Sequence, residues 1–422
     1  MIEFREKGIS IEPLTLKPYF EKDPRLADVG GWAYIMRLAT NLSFGALDIG
    51  DFADSVKDYA KRRAVIEICD MMSEDAFAGG AEMDTDRMLD KAEAEFLALR
   101  DLTQRSKRWT SLKDSIAGTV DQITKASKGV EKIGIATGLT DLDEIIGAFK
   151  PGKVYVLAGR PAMGKSATAG FFQIEAARQG IGVGNFSIEM DKDEQNERYL
   201  SDYTARDHQP ITYSDMQKGR LDPVAITQLE KPAEALVKLP IYLFDDPTMT
   251  VSSICVQTRR LQRDLENTHS PLGLVSIDYL QLLIPERTPG WSRADEVSIQ
   301  TRMIKNMARE LQVSVLLISQ LNRGVESRDN KRPNMADLRD SGAIEQDADA
   351  VLFLYRHEYY LKKDEPKDRR GDAWYKWRAA MVECQNVLEF IIAKQRGGPT
   401  GIERVFMDPS TATLRDLDKV VR

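Results

Sequence analysis

The chain reads as an α/β protein in which a mostly parallel sheet flanked by helices follows a smaller all-α domain and a linker helix. Three observations predict this. From Gly134 onward, short apolar runs rich in β-branched residues alternate with stretches of helical periodicity. Residues before about 105 lack that alternation and are rich in helix formers. Between these two regions one narrow apolar stripe recurs at helical spacing. A length of 422 residues leaves room for roughly two or three domains. We place them at 1–108, 109–133 and 134–422.

Composition narrows the classes of function. A hydrophobic content of 42% fills ordinary cores, and a net charge of −7 gives no global basic field, so any nucleic-acid contact must be local. Cys69, Cys255 and Cys384 lie far apart, and with only His208, His269 and His357 no zinc-binding spacing can be written. A reduced, cytoplasmic setting fits this usage. The first residues carry Glu3, Glu6 and Glu12 without an apolar signal core, and no apolar run is long enough to span a bilayer. No membrane partner is expected.

In the N-terminal region, Phe52–Ser73 and Asp84–Arg100 read as helices separated by Ala78-Gly79-Gly80. Leu112, Ile116, Val120 and Ile123 then form a single stripe on Leu112–Ser127. Such a stripe between domains either docks on another subunit or packs against its own domain, and the residues leave both readings open. Strands are expected at Val154–Ala158, Gly182–Ile188, Ile241–Phe244, Leu274–Ile277, Val313–Ser319 and Ala350–Tyr355. Helices are expected at Ala167–Gln179, Asp193–Thr204, Pro223–Val237, Val251–Glu266 and Arg293–Leu311. Leu388–Ala393 and Glu403–Met407 flank a glycine-rich turn and read as a β-hairpin. Arg356–Arg378, highly charged yet containing Trp374, Tyr375 and Trp377, reads as a surface insertion capped by a helix.

The chemistry begins at Gly159-Arg160-Pro161-Ala162-Met163-Gly164-Lys165-Ser166, which fits the phosphate-loop pattern at every fixed position and runs between a strand and a helix. With Ala167, these residues are the expected cradle for a nucleoside triphosphate and Mg²⁺. Backbone N–H groups must close around phosphate oxygens, and the following helix must present its positive end to them. Lys165 would neutralise the β and γ phosphates, and Ser166 would hold the metal. A second acid on a neighbouring strand is needed for Mg²⁺, and Asp278, ending the apolar run Leu274–Ile277, fits that need. A base must also polarise the attacking water. Glu189, at the end of the strand after the phosphate-loop helix, is the candidate.

These motifs, from Leu112 to Asp416, resemble the DnaB-type replicative DNA helicases of bacteria and phages, whose motor is RecA-like. GRPAMGKS, FSIEM, SIDYLQLL, ISQLNRGVESRDNKRP, DLRDSGAIEQDADAVLFLYR and IIAKQRGGPTG occur in the family's order. SQLNR followed by DLRDSGAIEQDAD is more characteristic of replicative ring helicases than of strand-exchange recombinases. The resemblance implies that Lys165 and Ser166 bind ATP and Mg²⁺, Asp278 supports the metal and Glu189 is the catalytic base. It further implies that Gln320 senses the γ-phosphate, a role suited to a neutral amide that both donates and accepts. Lys394 and Arg396 match trans-acting fingers that reach the neighbouring subunit's ATP.

For DNA, the family places Asp337–Gly342 on the inner wall of the ring, which makes Arg339, Asp340 and Gly342 the expected backbone-binding residues. Arg323, Arg328, Lys331 and Arg332 make the preceding loop basic. Either DNA contact or ordinary solvated charge accounts for them. Asp191 stands where the family usually has proline, and Asp340 where glutamate is commoner. Thr15–Thr40 resembles the interior of the family's N-terminal helical domain, with that domain shortened at its start.

The resemblance implies a homohexamer that couples ATP hydrolysis to 5′→3′ movement along single-stranded DNA and unwinds forked DNA, with primase and a helicase loader as further partners. An alternative reading is a RecA-like remodelling or recombination-mediator ring without helicase activity. A catalytically idle adaptor is a third, but the complete set of site residues argues against it.

Overall fold

The computed structural model describes residue 32, residues 49–78, 111–128, 134–207, 209–278, 283, 293–338 and 341–417, and Thr85, Met88, Lys91, Ala92, Glu95, Phe96 and Leu99. The chain forms two compact units, Met1–Lys107 and Arg108–Arg422. In the first, Ile49–Ala78 is one helix, longer at both ends than the periodicity suggested. The described positions from Thr85 to Leu99 are helical as well.

The second unit is organised on nine strands: β1 (Val154–Gly159), β2 (Gly182–Ser187), β3 (Ile241–Phe244), β4 (Leu272–Asp278), β5 (Ser314–Gln320), β6 (Ala350–Tyr355), β7 (Val387–Gln395), β8 (Gly401–Asp408) and β9 (Thr413–Asp416). They form one sheet in the order β3-β2-β4-β5-β1-β6-β7-β8-β9. The first six in that order are parallel, and β7, β8 and β9 add antiparallel pairs. Every residue of β1 is buried, as expected for a central strand covered on both faces.

Alternate side chains of each strand feed two cores. Tyr155 and Leu157, with Leu316, Ile318, Leu352 and Leu354, pack beneath the Lys165–Arg178 helix. Val154, Val156 and Ala158, with Val315, Leu317 and Phe353, pack beneath Val251–Leu265 and Arg293–Leu311. This is the two-residue period of a strand read out on opposite sides of one sheet. In the first core an aromatic chain links Phe149 to Tyr155 and Phe172 at centroid distances of 4.8 and 5.3 Å, and Phe172 to Phe390 at 6.1 Å.

The six expected strands and the C-terminal hairpin are present, with ends shifted by a residue or two. Two expectations change. Pro223–Val237 is two short helices, Pro223–Gln228 and Glu230–Leu236, because Pro232 cannot donate to the Gln228 carbonyl and the first helix closes at Leu229. The charged insertion is a helical hairpin, His357–Lys363 and Asp372–Cys384, tied by the Trp377 indole N–H donating to the Leu361 carbonyl at 2.7 Å. Leu112–Ser127 is the expected single helix, and its stripe of Leu112, Ile116, Val120 and Ile123 is exposed.

Candidate active site

A cleft of about 390 Å³ opens beyond the C-terminal ends of β1, β2 and β5. Pro161, Ala162, Gly164, Lys165, Ser166 and Ala167 line it together with Glu189 and Gln320. Ala162 and Gly164 both have left-handed backbone, at φ 65° and 93°. At Gly164 that conformation opens the helix without a side-chain cap, so the first-turn N–H groups are left to meet an anion. A residue with Cβ at Gly164 would also meet the Met407 side chain.

Strand register explains why distant residues converge. Gly159 pairs with Gln320, and Ser187 pairs with Asp278, so the phosphate loop, Gln320, Asp278 and the turn bearing Glu189 share one sheet edge. That turn is fixed from behind. Ser187 Oγ donates to the Met190 carbonyl at 2.7 Å, and Gln195 Nε2 reaches the same oxygen at 3.2 Å. Buried Gln195 belongs to an amide network with Asn185, Gln173 and Tyr199.

The Asp278 carboxyl is buried and its Oδ2 has no hydrogen-bond partner among the described residues. Burial, then the nearby Glu189 charge, pushes it up to about 6 against the opposing pull of Lys165, Arg198 and the Ser166 hydroxyl. An orphaned acidic oxygen next to Ser166 is the chemistry a divalent cation requires. Burial also lowers the Lys165 ammonium below its ordinary value, although the Asp278 and Glu189 charges oppose that shift. Lys165 Nζ folds back to the Arg160 carbonyl at 3.4 Å.

Two further cations face the cleft and were not singled out from sequence. Arg198, on the Lys192–Arg206 helix, stacks on Tyr213 at 4.5 Å and bonds Glu194 at 3.0 Å. Buried Arg356 directly follows β6, donates to the Ala162 carbonyl at 3.3 Å and pairs with Glu358 at 3.0 Å. The rule that singled out Asp278, a polar residue closing an apolar strand, would have found Arg356. Nothing in the sequence marks Arg198.

Lys394 and Arg396 stand elsewhere. Lys394 pairs with Val351 near the start of β6, at the sheet edge opposite the phosphate loop. Its ammonium donates to the Glu345 and Ala348 carbonyls, and Arg396 reaches the Gln346 carbonyl, so both cap the end of the Ser341–Asp347 helix. They do not join this chain's own cleft. Of the expected DNA contacts, Arg339 and Asp340 lie outside the described residues, while Gly342 is exposed in the first turn of that helix with open space around it.

Of the four basic loop residues Arg323 is exposed, while the other three have partners. Arg328 pairs with Asp337 at 2.6 Å, Arg332 pairs with Glu389 at 2.7 Å, and the Lys331 ammonium lies 5.3 Å over Tyr360. Among the described residues, no helix is long and apolar enough to cross a membrane.

Comparison with known proteins agrees with this geometry. Residues 134–416 match the family described as the DnaB-like helicase C-terminal domain. The replicative DNA helicase DnaB of Rickettsia bellii is 33% identical over 428 residues, covering 98% of this chain and 84% of the relative. DnaB of Geobacillus stearothermophilus is 33% identical over 405 residues, covering 95% and 82%. A solved DnaB-like replicative helicase, described together with its interactions with primase, superposes with a TM-score of 0.73 at 27% identity, covering 99% of this chain and 90% of that one. A solved ATPase domain matches at a TM-score of 0.63 and 31% identity, covering 74% of this chain and all of its own.

Proposed function

The chain belongs to the DnaB-like replicative DNA helicases and is an ATP-dependent helicase, and from that premise we propose that it works as a ring of six copies. In this reading each ATP lies between two neighbours, and the ring moves 5′→3′ on single-stranded DNA while excluding the other strand. One observation carries the proposal. The phosphate loop, Glu189, Asp278 and Gln320 share one sheet edge, whereas Lys394 and Arg396 stand at the other. A single chain therefore holds most of a phosphoryl-transfer site and offers the missing cations on its opposite side, the arrangement of a head-to-tail ring.

Lys165 and the first-turn N–H groups hold the β and γ phosphates of ATP, and Glu189 accepts the proton of the attacking water. Ser166 would hold Mg²⁺ with Asp278 in support, and the ion when bound would supply charge neutralisation at those phosphates. Gln320 reads the γ-phosphate. Leu321, the next residue, bridges to Leu338, so a shift at Gln320 is felt directly before Arg339, Asp340 and Gly342 on the DNA path. Lys394 and Arg396 of one copy complete the site of the next, which makes hydrolysis depend on assembly.

The exposed Leu112–Ser127 stripe supports assembly further. It matches in character the exposed Val224 and Ile226 on the Pro223–Gln228 helix, which a neighbouring copy can offer. Primase and a loader are proposed partners of the N-terminal unit, and the cytoplasm the place of action.

The test is unwinding of a forked duplex with a free 5′ tail, beside a control carrying only a 3′ tail. Separation that needs the 5′ tail, and is lost in Lys165→Ala, is the expected outcome. ATP hydrolysis stimulated by DNA without strand separation would instead favour a remodelling ring.

A further inference from the structure

The segment that leaves the sheet after Gln320 is fastened at both ends. It closes on itself through the bridge between Leu321 and Leu338, with Asn322 N–H donating to the Asp337 carbonyl at 2.9 Å. On one side, buried Arg160 of the phosphate loop donates to the Leu321 carbonyl at 2.9 Å and to Glu326 at 3.0 Å. On the other side, Arg332 makes a two-pronged contact with the Glu389 carboxylate at 2.7 and 3.0 Å, and its guanidinium lies 5.0 Å over Tyr355. Arg404 of β8 reaches the same carboxylate at 3.0 Å.

Glu389 is only 5% exposed at its side chain, whereas Arg332 and Arg404 are 37% and 60% exposed, so two guanidinium groups that reach water hold one buried carboxylate. Such ion pairs are weak evidence for stability, because exposed partners are screened by solvent. What a forked Arg–carboxylate contact does supply is a fixed orientation. Here it orients a strand. Along β7, Glu389 sits beside Tyr355 at the nucleotide edge and Gln395 beside Ala350 at the opposite edge, just before Arg396. The six steps from Glu389 to Gln395 span roughly 20 Å of extended chain. β8 bonds β7 from Val387 to Ile392 and β6 bonds it from Glu389 to Gln395, so that stretch moves as a unit, and past a bulge at Ala393 the end bearing Lys394 stays held by β6.

We propose that Arg332 and Glu389, with Arg404, form a tie that transmits displacement of the loop after Gln320 along β7 to Lys394 and Arg396. This rests on the reading of those two cations as trans-acting. Arg332 and Glu389 are positioning residues: they touch neither nucleotide nor DNA, and they set when a subunit's cations reach its neighbour. Loading of the loop by single-stranded DNA in one subunit then quickens hydrolysis in the next.

The experiment uses the full chain with ATP, Mg²⁺ and an oligo-dT strand. Three quantities are measured: ATP turnover with and without DNA, affinity for the strand in a non-hydrolysable ATP analogue, and ring size by light scattering. Glu389→Gln and Arg332→Ala should each cut the DNA stimulation about tenfold, with DNA-free turnover, strand affinity and ring size each within about twofold of the parent. The double variant should be no worse than either single one, because the pair acts as a unit. Arg332→Lys should fall between, since lysine cannot reproduce the fork.

Full stimulation in both single variants would overturn the tie. So would loss of strand affinity in Arg332→Ala alongside normal behaviour in Glu389→Gln, which would make Arg332 a DNA contact. Should Glu389→Gln fail to assemble, the two Arg332 variants, on a loop, decide. Arg396→Ala separates the two readings. If it turns over normally, the trans-acting role fails whatever Glu389 does; if it is inactive while Glu389→Gln is normal, only the tie fails.

Discussion

Replacing Asp278 by Asn should stabilise the nucleotide-free protein while destroying its activity. The carboxyl is 4% exposed, one of its oxygens lacks a partner, and its pKa is pushed from 3.8 to about 6. A shift of about two units corresponds to about 3 kcal/mol of native stability forfeited when the group ionises. The sign follows from proton counting. Between pH 3.8 and about 6 the native state binds more protons at this site than the unfolded chain does, so stability falls as pH rises through that window and is flat above it.

Asn, which is neutral at every pH, escapes the loss. Its advantage should be about 3 kcal/mol at pH 7.5 and about half that at pH 5. In thermal melts of the nucleotide-free protein this is a rise of roughly 5 °C at the higher pH. Magnesium nucleotide should reverse the order, raising the melting point of the parent and not of the variant. A variant that melts below the parent at pH 7.5, or whose advantage grows on acidification, would refute the reasoning. It would mean that the Lys165 ammonium beside the carboxylate matters more than the cost of burial.

Three other outcomes are expected. Glu189→Gln should bind ATP with nearly unchanged affinity by fluorescence titration and lose turnover about a thousandfold in a phosphate-release assay, since only the acceptor of the water proton is removed. Ile116→Asp with Val120→Asp should convert assembled rings to single chains in size-exclusion light scattering without lowering the melting of the sheet unit, because both side chains are exposed. Asp349→Asn should cost about 3 kcal/mol in urea denaturation, because the buried Asp349 carboxylate anchors Lys305, holds Lys153 at 3.3 Å and accepts the Val154 N–H at 2.9 Å.

How far the sequence could be read depended on how local each signal is. The phosphate loop, with a helix after it and an apolar strand before it, is contiguous, Asp278 and Gln320 each close an apolar strand, and Glu189 lies two residues past the end of another strand, so their common edge follows from parallel topology alone. Arg356 obeys the same rule but hides at the head of a charged insertion. Arg198 gives no local sign at all, since only the docking of its helix turns it toward the cleft. The break at Leu229, by contrast, is marked in the sequence by Pro232, which has no N–H to donate to the Gln228 carbonyl four residues back. The basic loop does mislead: Arg328 and Arg332 look like surface charge until Asp337 and Glu389, the latter 57 positions away from Arg332, are brought against them.

The helical hairpin between β6 and β7 makes the molecule convenient to instrument. Its base is clamped by Glu358, which pairs with Arg356 and Lys362 and accepts the Asn386 N–H at 3.2 Å, so the two strands are joined below the hairpin whatever lies above it. Residues 364–371 at its tip are largely exposed and belong to no strand. A fluorophore at Asp368, or a small reporter domain spliced there, would leave the strand register intact. It would be joined to Arg356, and so to the phosphate loop, through the two-turn helix His357–Lys363, and a change in nucleotide state could be watched there as light.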